Sequence, residues 1–267
     1  MPDLHTRQEQ LASFSKLLDI LDILRVECPW DRKQTNQSLR PNTIEEVYEL
    51  SDALLKEDAA SIEKELGDVL LHVIFYAKIG SEESRFDIKD VCDKLVEKLI
   101  FRHPHIFGDT KVKDAHEVEQ NWEQIKLREK GGNKTVLSGV PSSLPSLIKS
   151  FRIQEKVANV GFDWDRPEDV WEKVYEELGE LREEIEEKHG SDPSSAEMEF
   201  GDFLFSLVNA GRKYGIEPDT ALSRTNDKFT RRFNHIERRA KELGKELKSM
   251  TLGEMEVLYE EAKSLEG

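Results

Sequence analysis

The chain has 267 residues, 35% of them charged and 37% hydrophobic, with a formal net charge of −16 at pH 7. That length allows one large or two modest domains with cores of their own, and the composition excludes disorder on a large scale. So acidic a chain is a poor partner for a nucleic-acid polymer, whose phosphates are bound by excess Lys and Arg, although acids gathered round Mg²⁺ can hold a small phosphorylated ligand through the cation.

From the N-terminus, residues 1–10 lack the basic and apolar regions of a signal peptide, and no apolar run reaches the roughly 18 residues of a membrane span, so a cytoplasmic protein without a membrane partner is expected. Leu11, Phe14, Leu17, Leu18, Leu21 and Leu24 recur at three- and four-residue spacing, the pattern of an amphipathic helix. Cys28 and Cys92 stand apart, outside any CxxC or Cys/His cluster, which indicates neither a disulfide framework nor a zinc site. Beyond Pro29-Trp30-Asp31 come Glu45-Glu46-Val47-Tyr48-Glu49, then Glu65-Leu66-Gly67-Asp68 leading into the apolar run 69–76, then Lys98 and Arg102. Breakers cluster at 131–145 (GGNKTVLSGVPSSLP), marking a linker between modules at 1–130 and 146–267. After it the order repeats: Asp163-Trp164-Asp165, a helical pattern through Val170, Trp171, Val174, Leu178, Leu181 and Ile185 that carries Glu176-Glu177-Leu178-Gly179-Glu180, then Glu199-Phe200-Gly201-Asp202, then Lys228 and Arg232.

Four elements in one order indicate an internal duplication. No alternating strand pattern bounded by hairpin turns occurs and helix formers dominate, so the fold expected is all-α.

Residues three apart on a helix differ by about 60° of azimuth and roughly 4.5 Å of rise, so Glu177 with Glu180, and Glu199 with Asp202, share a face. Two such helices packed antiparallel converge four carboxylates, and Glu46, Glu49, Glu65 and Asp68 offer the same set in the first half. Bare, these acids would repel one another and raise each other's pKa values. An all-oxygen donor set favours Mg²⁺, with Mn²⁺ as a substitute, over zinc. An EExxE alone is more often a solvated helix face. Asp202 and Asp68 weigh against that reading because apolar residues surround them in sequence. Gly67 and Gly201 each cost a helix about 1 kcal/mol relative to Ala, and point to close approach by another helix or a ligand, or to simple helix packing. A di-iron bundle would need Glu-x-x-His on two helices, and the chain has that spacing once, Glu186 to His189. Lys228 and Arg232, four apart, form a basic stripe able to neutralise phosphate oxygens or to pair with surface acids.

With these motifs, and with CPWDRKQT at 28–35, EEVYELSDAL at 45–54, RHPHIFGD at 102–109, GVPSSLPSL at 139–147 and VGFDWD at 160–165, the chain closely resembles the MazG family of nucleoside triphosphate pyrophosphohydrolases over nearly its whole length. The resemblance implies two tandem all-α MazG-type helical-bundle modules, a homodimer, and Mg²⁺-dependent hydrolysis of NTPs and dNTPs to the monophosphate and pyrophosphate, with catalysis in the C-terminal module. Carried over, the metal ligands are Glu177, Glu180, Glu199 and Asp202. Lys173, Glu177, Asp202, Lys228, Arg232 and Tyr259 lie at the nucleotide. Glu176, Glu177, Lys228 and Arg232 are the catalytic candidates, with Glu176 a candidate general base. Two departures stand out: Tyr259 sits where the family commonly has Trp, and Ser195 lies near a family Lys. Glu46, Glu49, Glu65 and Asp68, with Lys98 and Arg102, form a second, N-terminal candidate site. The alternative is a helical module that binds nucleotide and Mg²⁺ without turnover.

Overall fold

The computed structural model describes residues 4–114, 118, 125, 134–187 and 193–266. Contacts divide the chain into two compact units, Met1–Lys111 and Val112–Gly267. Of the linker expected at 131–145, residues 131–133 lie outside the described residues and 134–145 are turns and irregular chain. Helices account for the regular structure; no strand occurs among the described residues, and no described helix is long and apolar enough to cross a membrane.

The first unit runs α1 (Arg7–Glu27), a 3₁₀ turn (Asp31–Lys33), α2 (Asn36–Leu55), α3 (Ala59–Glu82), α4 (Ile88–Arg102) and the short α5 (Pro104–Phe107). Side chains fix the helix starts by satisfying backbone N–H groups that have no partner within the helix. Thr6 with Glu9, Thr35 with Ser38 and Asp87 with Asp90 form reciprocal caps, and Asp58 accepts from the N–H groups of Ala60 and Ser61. The short connection through Glu57, at φ 53°, turns α2 back onto α3. Leu21, Leu39, Ile74, Phe75 and Ile79 are the buried centre, with Phe14, Leu17, Leu18, Tyr76 and Ile88 packed around it. Most of the helical periodicity expected of α1 therefore points inward. A polar tie crosses the α2–α3 seam, where the Thr43 hydroxyl meets His72 Nδ1 at 3.0 Å and the Tyr76 hydroxyl at 2.5 Å.

The second unit runs α6 (Ser146–Ala158), a 3₁₀ turn (Pro167–Asp169), α7 (Val170–Arg182), a π-helical turn (Glu183–Glu187), α8 (Pro193–Lys213), α9 (Pro218–Glu242), a 3₁₀ turn (Leu247–Ser249) and α10 (Leu252–Leu265). Val170, Val174 and Ala210, with Phe203, join α7 to α8. Ile236, Ala240, Met250 and Leu258, with Phe233, Met255 and Tyr259, join α9 to α10. Gln154 on α6 donates to the Phe205 carbonyl of α8 at 2.8 Å. The FDWD loop is fastened to the far end of α8: Arg212 donates to both Asp163 carboxylate oxygens at 2.5 and 3.2 Å, and Lys213 bonds Asp163 at 3.1 Å and the Trp164 carbonyl at 2.6 Å. The pair α7–α8 repeats α2–α3, so the duplication read in the motifs is a duplication of helix hairpins.

The apolar runs after the two ExGD motifs are only half buried. Phe200, Leu204, Phe205 and Leu207 of α8 and Leu66, Leu70, Leu71 and Val73 of α3 are exposed. Among the described residues, no other part of the chain approaches Gly67 or Gly201, since a Cβ built at either meets nothing within 4 Å. Among the described residues, neither helix packing nor close approach accounts for these two glycines.

Candidate metal centre

On α7, the spacing of Val170, Val174 and Leu181 buries one stripe, and the same helix turn brings Glu177 to the edge of that stripe, only 7% exposed. On α8, Glu199 and Asp202 sit three apart in the first half of the helix, facing α7. Carboxylate oxygens of Glu177, Glu199 and Asp202 all lie within 4.8 Å of one another. Glu177 is buried, Glu199 half-buried and Asp202 exposed, so the cluster grades from core to solvent. Glu180 is not among the three, but its charge reaches Glu199. Burial, then the charges of Glu180, Asp202, Glu177 and Glu184, push the Glu199 carboxyl above its ordinary range.

Three carboxylate oxygens this close could hold a hard divalent cation, which prefers oxygen donors. Lys173 Nζ holds Glu176 at 2.8 Å and Glu177 at 2.7 Å. Those two carboxylates raise the pKa of Lys173 and keep it charged. Glu176, the candidate base, is thus an exposed residue tethered by an ammonium group.

The basic and aromatic candidates assemble separately. Arg232 lies over the Tyr259 ring, 5.3 Å from its centre, donates to the Tyr259 hydroxyl at 3.4 Å, and makes two bonds to one oxygen of Glu266 at 2.8 and 2.7 Å. Phe229 stacks on Phe233 and touches Tyr259. Lys228 is exposed, and no hydrogen bond or ion pair links it or Arg232 to the acid cluster among the described residues.

The first unit repeats the cluster with changes. Oxygens of Glu46, Glu49 and Glu65 lie within 4.8 Å of one another. Asp68 is not in this group, but after burial its charge is the largest influence raising Glu46, followed by Glu49 and Glu65, with Lys64 opposing. Glu65 is 6% exposed; its Oε1 accepts from Lys64 Nζ at 2.7 Å, while Oε2 has no hydrogen-bond partner among the described residues. Lys64 also reaches Asp68 at 3.6 Å. Lys98 is exposed and Arg102 half-buried on α4.

Two residues that the motifs do not single out therefore distinguish the clusters. Lys64 precedes the first ExGD, where the second has Met198. Glu184, 4% exposed in the π-helical turn, adds a fifth charge near Glu199, whereas the position seven after Glu46 is the buried Ala53. Glu184 follows Glu177 by seven and Glu180 by four, a same-face spacing that would have found it. His189, the second member of the Glu-x-x-His spacing, lies outside the described residues.

Sequence comparison bears on this geometry. The MazG nucleotide pyrophosphohydrolase domain matches twice, at residues 34–107 and 166–237, each match covering one acid cluster. A protein of Escherichia coli K12 called nucleoside triphosphate pyrophosphohydrolase is 41% identical over 261 residues, covering 96% of this chain and 99% of that one. One of Thermotoga maritima, called nucleoside triphosphate pyrophosphohydrolase/pyrophosphatase MazG, is 43% identical over 253 residues, 94% of this chain and 95% of its own. The Bacillus subtilis protein YabN, described as uncharacterized, is 50% identical over 265 residues, 97% of this chain and 54% of its own length.

Proposed function

The chain belongs to the MazG nucleotide pyrophosphohydrolase family, and we propose that it hydrolyses nucleoside triphosphates, ribo- and deoxyribo-, to the monophosphate and pyrophosphate at the acid cluster of the second unit, with Mg²⁺ as the working cation and Mn²⁺ as a substitute. The observation that carries this reading is the convergence of Glu177, Glu199 and Asp202 within 4.8 Å inside a domain of that family. Glu180, whose charge acts on Glu199, would be the fourth residue to hold the cation. A bound divalent cation supplies charge neutralisation and polarisation at the phosphoryl oxygens.

The chain's own residues do the rest. Lys173 holds Glu176 and Glu177, and Glu176 is the candidate to take a proton from the attacking water. Lys228, exposed and without an ion-pair partner among the described residues, and Arg232, now paired with Glu266, would neutralise charge that builds on the phosphates in the transition state. Tyr259 offers a ring for the base, already packed against Arg232.

The first unit is the weaker site on this reading: Lys64 reaches two of its four acids, Glu65 and Asp68, whereas in the second unit Lys173 reaches Glu177 alone of the four. Its acids, with Lys98 and Arg102, bind cation and nucleotide with little turnover. The working assembly is a homodimer: the exposed apolar rows of α3 and α8 flank the acids, and a second copy would cover them. The module borders proposed are 1–130 and 146–267 about a linker at 131–145, and the setting proposed is the cytoplasm.

Incubation with NTP and Mg²⁺, with products separated by ion exchange, tests the reaction. Pyrophosphate and NMP are expected; orthophosphate with NDP refutes it. Glu177→Gln and Asp202→Asn should abolish turnover while Glu49→Gln and Glu65→Gln leave most of it, and the reverse pattern would move the centre to the first unit.

A further inference from the structure

Lys173 stands where a helix has least use for it. It is the fourth residue of α7, near the end that carries the positive half of the helix dipole, and it precedes the glutamates it pairs with, the weaker orientation for such a pair. Its ammonium nevertheless reaches Glu176 Oε1 at 2.8 Å and Glu177 Oε1 at 2.7 Å. Helix electrostatics do not account for that placement, but the acid cluster does. The Glu177 side chain is 9% exposed, and a carboxylate so far from water needs a counter-charge. Glu180, Glu184 and Asp202 act together with Glu177 on Glu199, and among the described residues no cation pairs with Glu199 or Asp202.

The first unit reaches a similar balance by another route. With the EExxE motifs aligned, Asn42 takes the place of Lys173; with the ExGD motifs aligned, Met198 takes the place of Lys64. Among the described residues each cluster thus has a lysine on it, from α3 in the first unit and from α7 in the second, each 2.7 Å from a buried glutamate. A lysine that changes helix between the repeats and keeps the same kind of partner belongs to the cluster, not to either helix. It also stands in the way of a metal. A Mg²⁺ ion about 2.1 Å from the Glu177 oxygen would lie within about 5 Å of the ammonium already bonded there, so the two cations compete for one carboxylate.

We propose that Lys173 is a resident counter-ion of the second cluster: it holds the place of the divalent cation on Glu177 in the cation-free protein and gives that oxygen up when the cation binds, keeping its hold on the more exposed Glu176. The inference rests on reading this cluster as a cation site. Lys173 is then a positioning residue that acts through Glu177. It stabilises the cation-free fold and lowers the affinity for the cation, so that metal can exchange without leaving the buried acid bare.

Mg²⁺ titration calorimetry of the full chain without nucleotide, and thermal unfolding in EDTA and in saturating Mg²⁺, test it. Glu65→Gln is present in every chain, so that the second cluster is read alone. Lys173→Met should bind Mg²⁺ about fivefold more tightly than the parent, unfold at a lower temperature in EDTA, and recover most of that difference in Mg²⁺. Lys173→Arg keeps the charge and should stay within about twofold of the parent affinity. Unchanged or weaker Mg²⁺ binding in Lys173→Met, or a loss of thermal stability equally large with and without Mg²⁺, overturns the proposal. If the parent's binding is at the same time lost with Glu177→Gln, the metal centre itself stands. No Mg²⁺ binding by the parent overturns the metal centre and this inference with it.

Discussion

Asp163 offers a measurable test of how the second unit holds α8 in register. Its side chain is 23% exposed and is gripped by Arg212 and Lys213, which are 13% and 11% exposed. Asp163→Asn keeps the shape but strips the charge from a group that accepts from two cations. A charge-assisted hydrogen bond is worth about 1.5–3 kcal/mol, and an exposed pair under about 1. For a carboxylate three-quarters shielded, with two cations left facing each other, the loss expected is about 2 kcal/mol. In a unit of this size that lowers Tm by about 4–8 °C.

The pH dependence has a definite sign. Burial works to raise the Asp163 pKa, but the hydrogen bonds from Arg212 and Lys213 and their charges outweigh it, so the net shift is downward from 3.8. The folded-state pKa lies below the unfolded one, so the stabilisation is complete above pH 3.8 and disappears as pH falls through the folded value. Urea unfolding of the unaltered chain and of Asp163→Asn should therefore differ at pH 7 and converge in acid. A difference under about 0.5 kcal/mol at pH 7, or one that persists unchanged at low pH, would refute the reasoning.

Glu184→Gln should reduce Mg²⁺ affinity and turnover about tenfold with little loss of fold; unchanged kinetics and metal titration would mean that the fifth carboxylate is only structural. Because the Glu199 pKa is raised, protons compete with the cation at a higher pH than for an ordinary glutamate, so Mg²⁺ affinity should begin to fall above the usual carboxylate range. An affinity flat down to pH 4.5 would contradict this. Lys64→Met should strengthen divalent-cation binding by the first unit about tenfold, and Met198→Lys should weaken it in the second, both read by calorimetry; no change in either removes the proposed basis for their difference. Gly80→Ala should destabilise the first unit by about 1–2 kcal/mol in urea unfolding, since the added carbon would sit 2.8 Å from the Phe86 ring and 2.9 Å from its carbonyl oxygen. A more stable variant would show that the α3 end relaxes freely.

Much of this architecture is legible in the residue order because it is written in local rules. The 3.6-residue period of α1, the caps at Thr6 and Asp58, and the carboxylate spacings in EExxE and ExGD depend only on neighbours in sequence. Convergence of Glu177 with Glu199 and Asp202 follows once α7 and α8 pack antiparallel. What escapes is set by contacts between distant segments. Nothing near Glu266 indicates that it would reach 34 residues back to Arg232, and nothing near Asp163 marks it as the clamp on Arg212. Lys64 belongs to no motif, and its reach to Glu65 and Asp68 shows only in the fold. Glu184 is a different case: its spacing of seven from Glu177 and four from Glu180 is local and legible, but it lies outside the EExxE motif, and only the fold sets its charge beside Glu199.

The half-buried ExGD helices follow from the same division between local and distant effects. An apolar run such as FLFSLV is normally a core signal, and Ser206 and Val208 are indeed buried, but Phe200, Leu204, Phe205 and Leu207 are not. Gly201 carries the helix penalty of about 1 kcal/mol, and among the described residues no other segment comes within 4 Å of a Cβ built there. A second copy of the chain is the partner proposed for this face, and it would explain three observations together: exposed aromatics beside a charge cluster, a glycine with room above it, and an Asp202 left open to solvent. Covering the face would also take water from the acids, deepening the desolvation that already raises Glu199 and making the bare cluster still less tolerable without a cation. Dimerisation and metal binding would then be coupled, each favouring the other, because the charge that the cation neutralises is the charge that opposes burial.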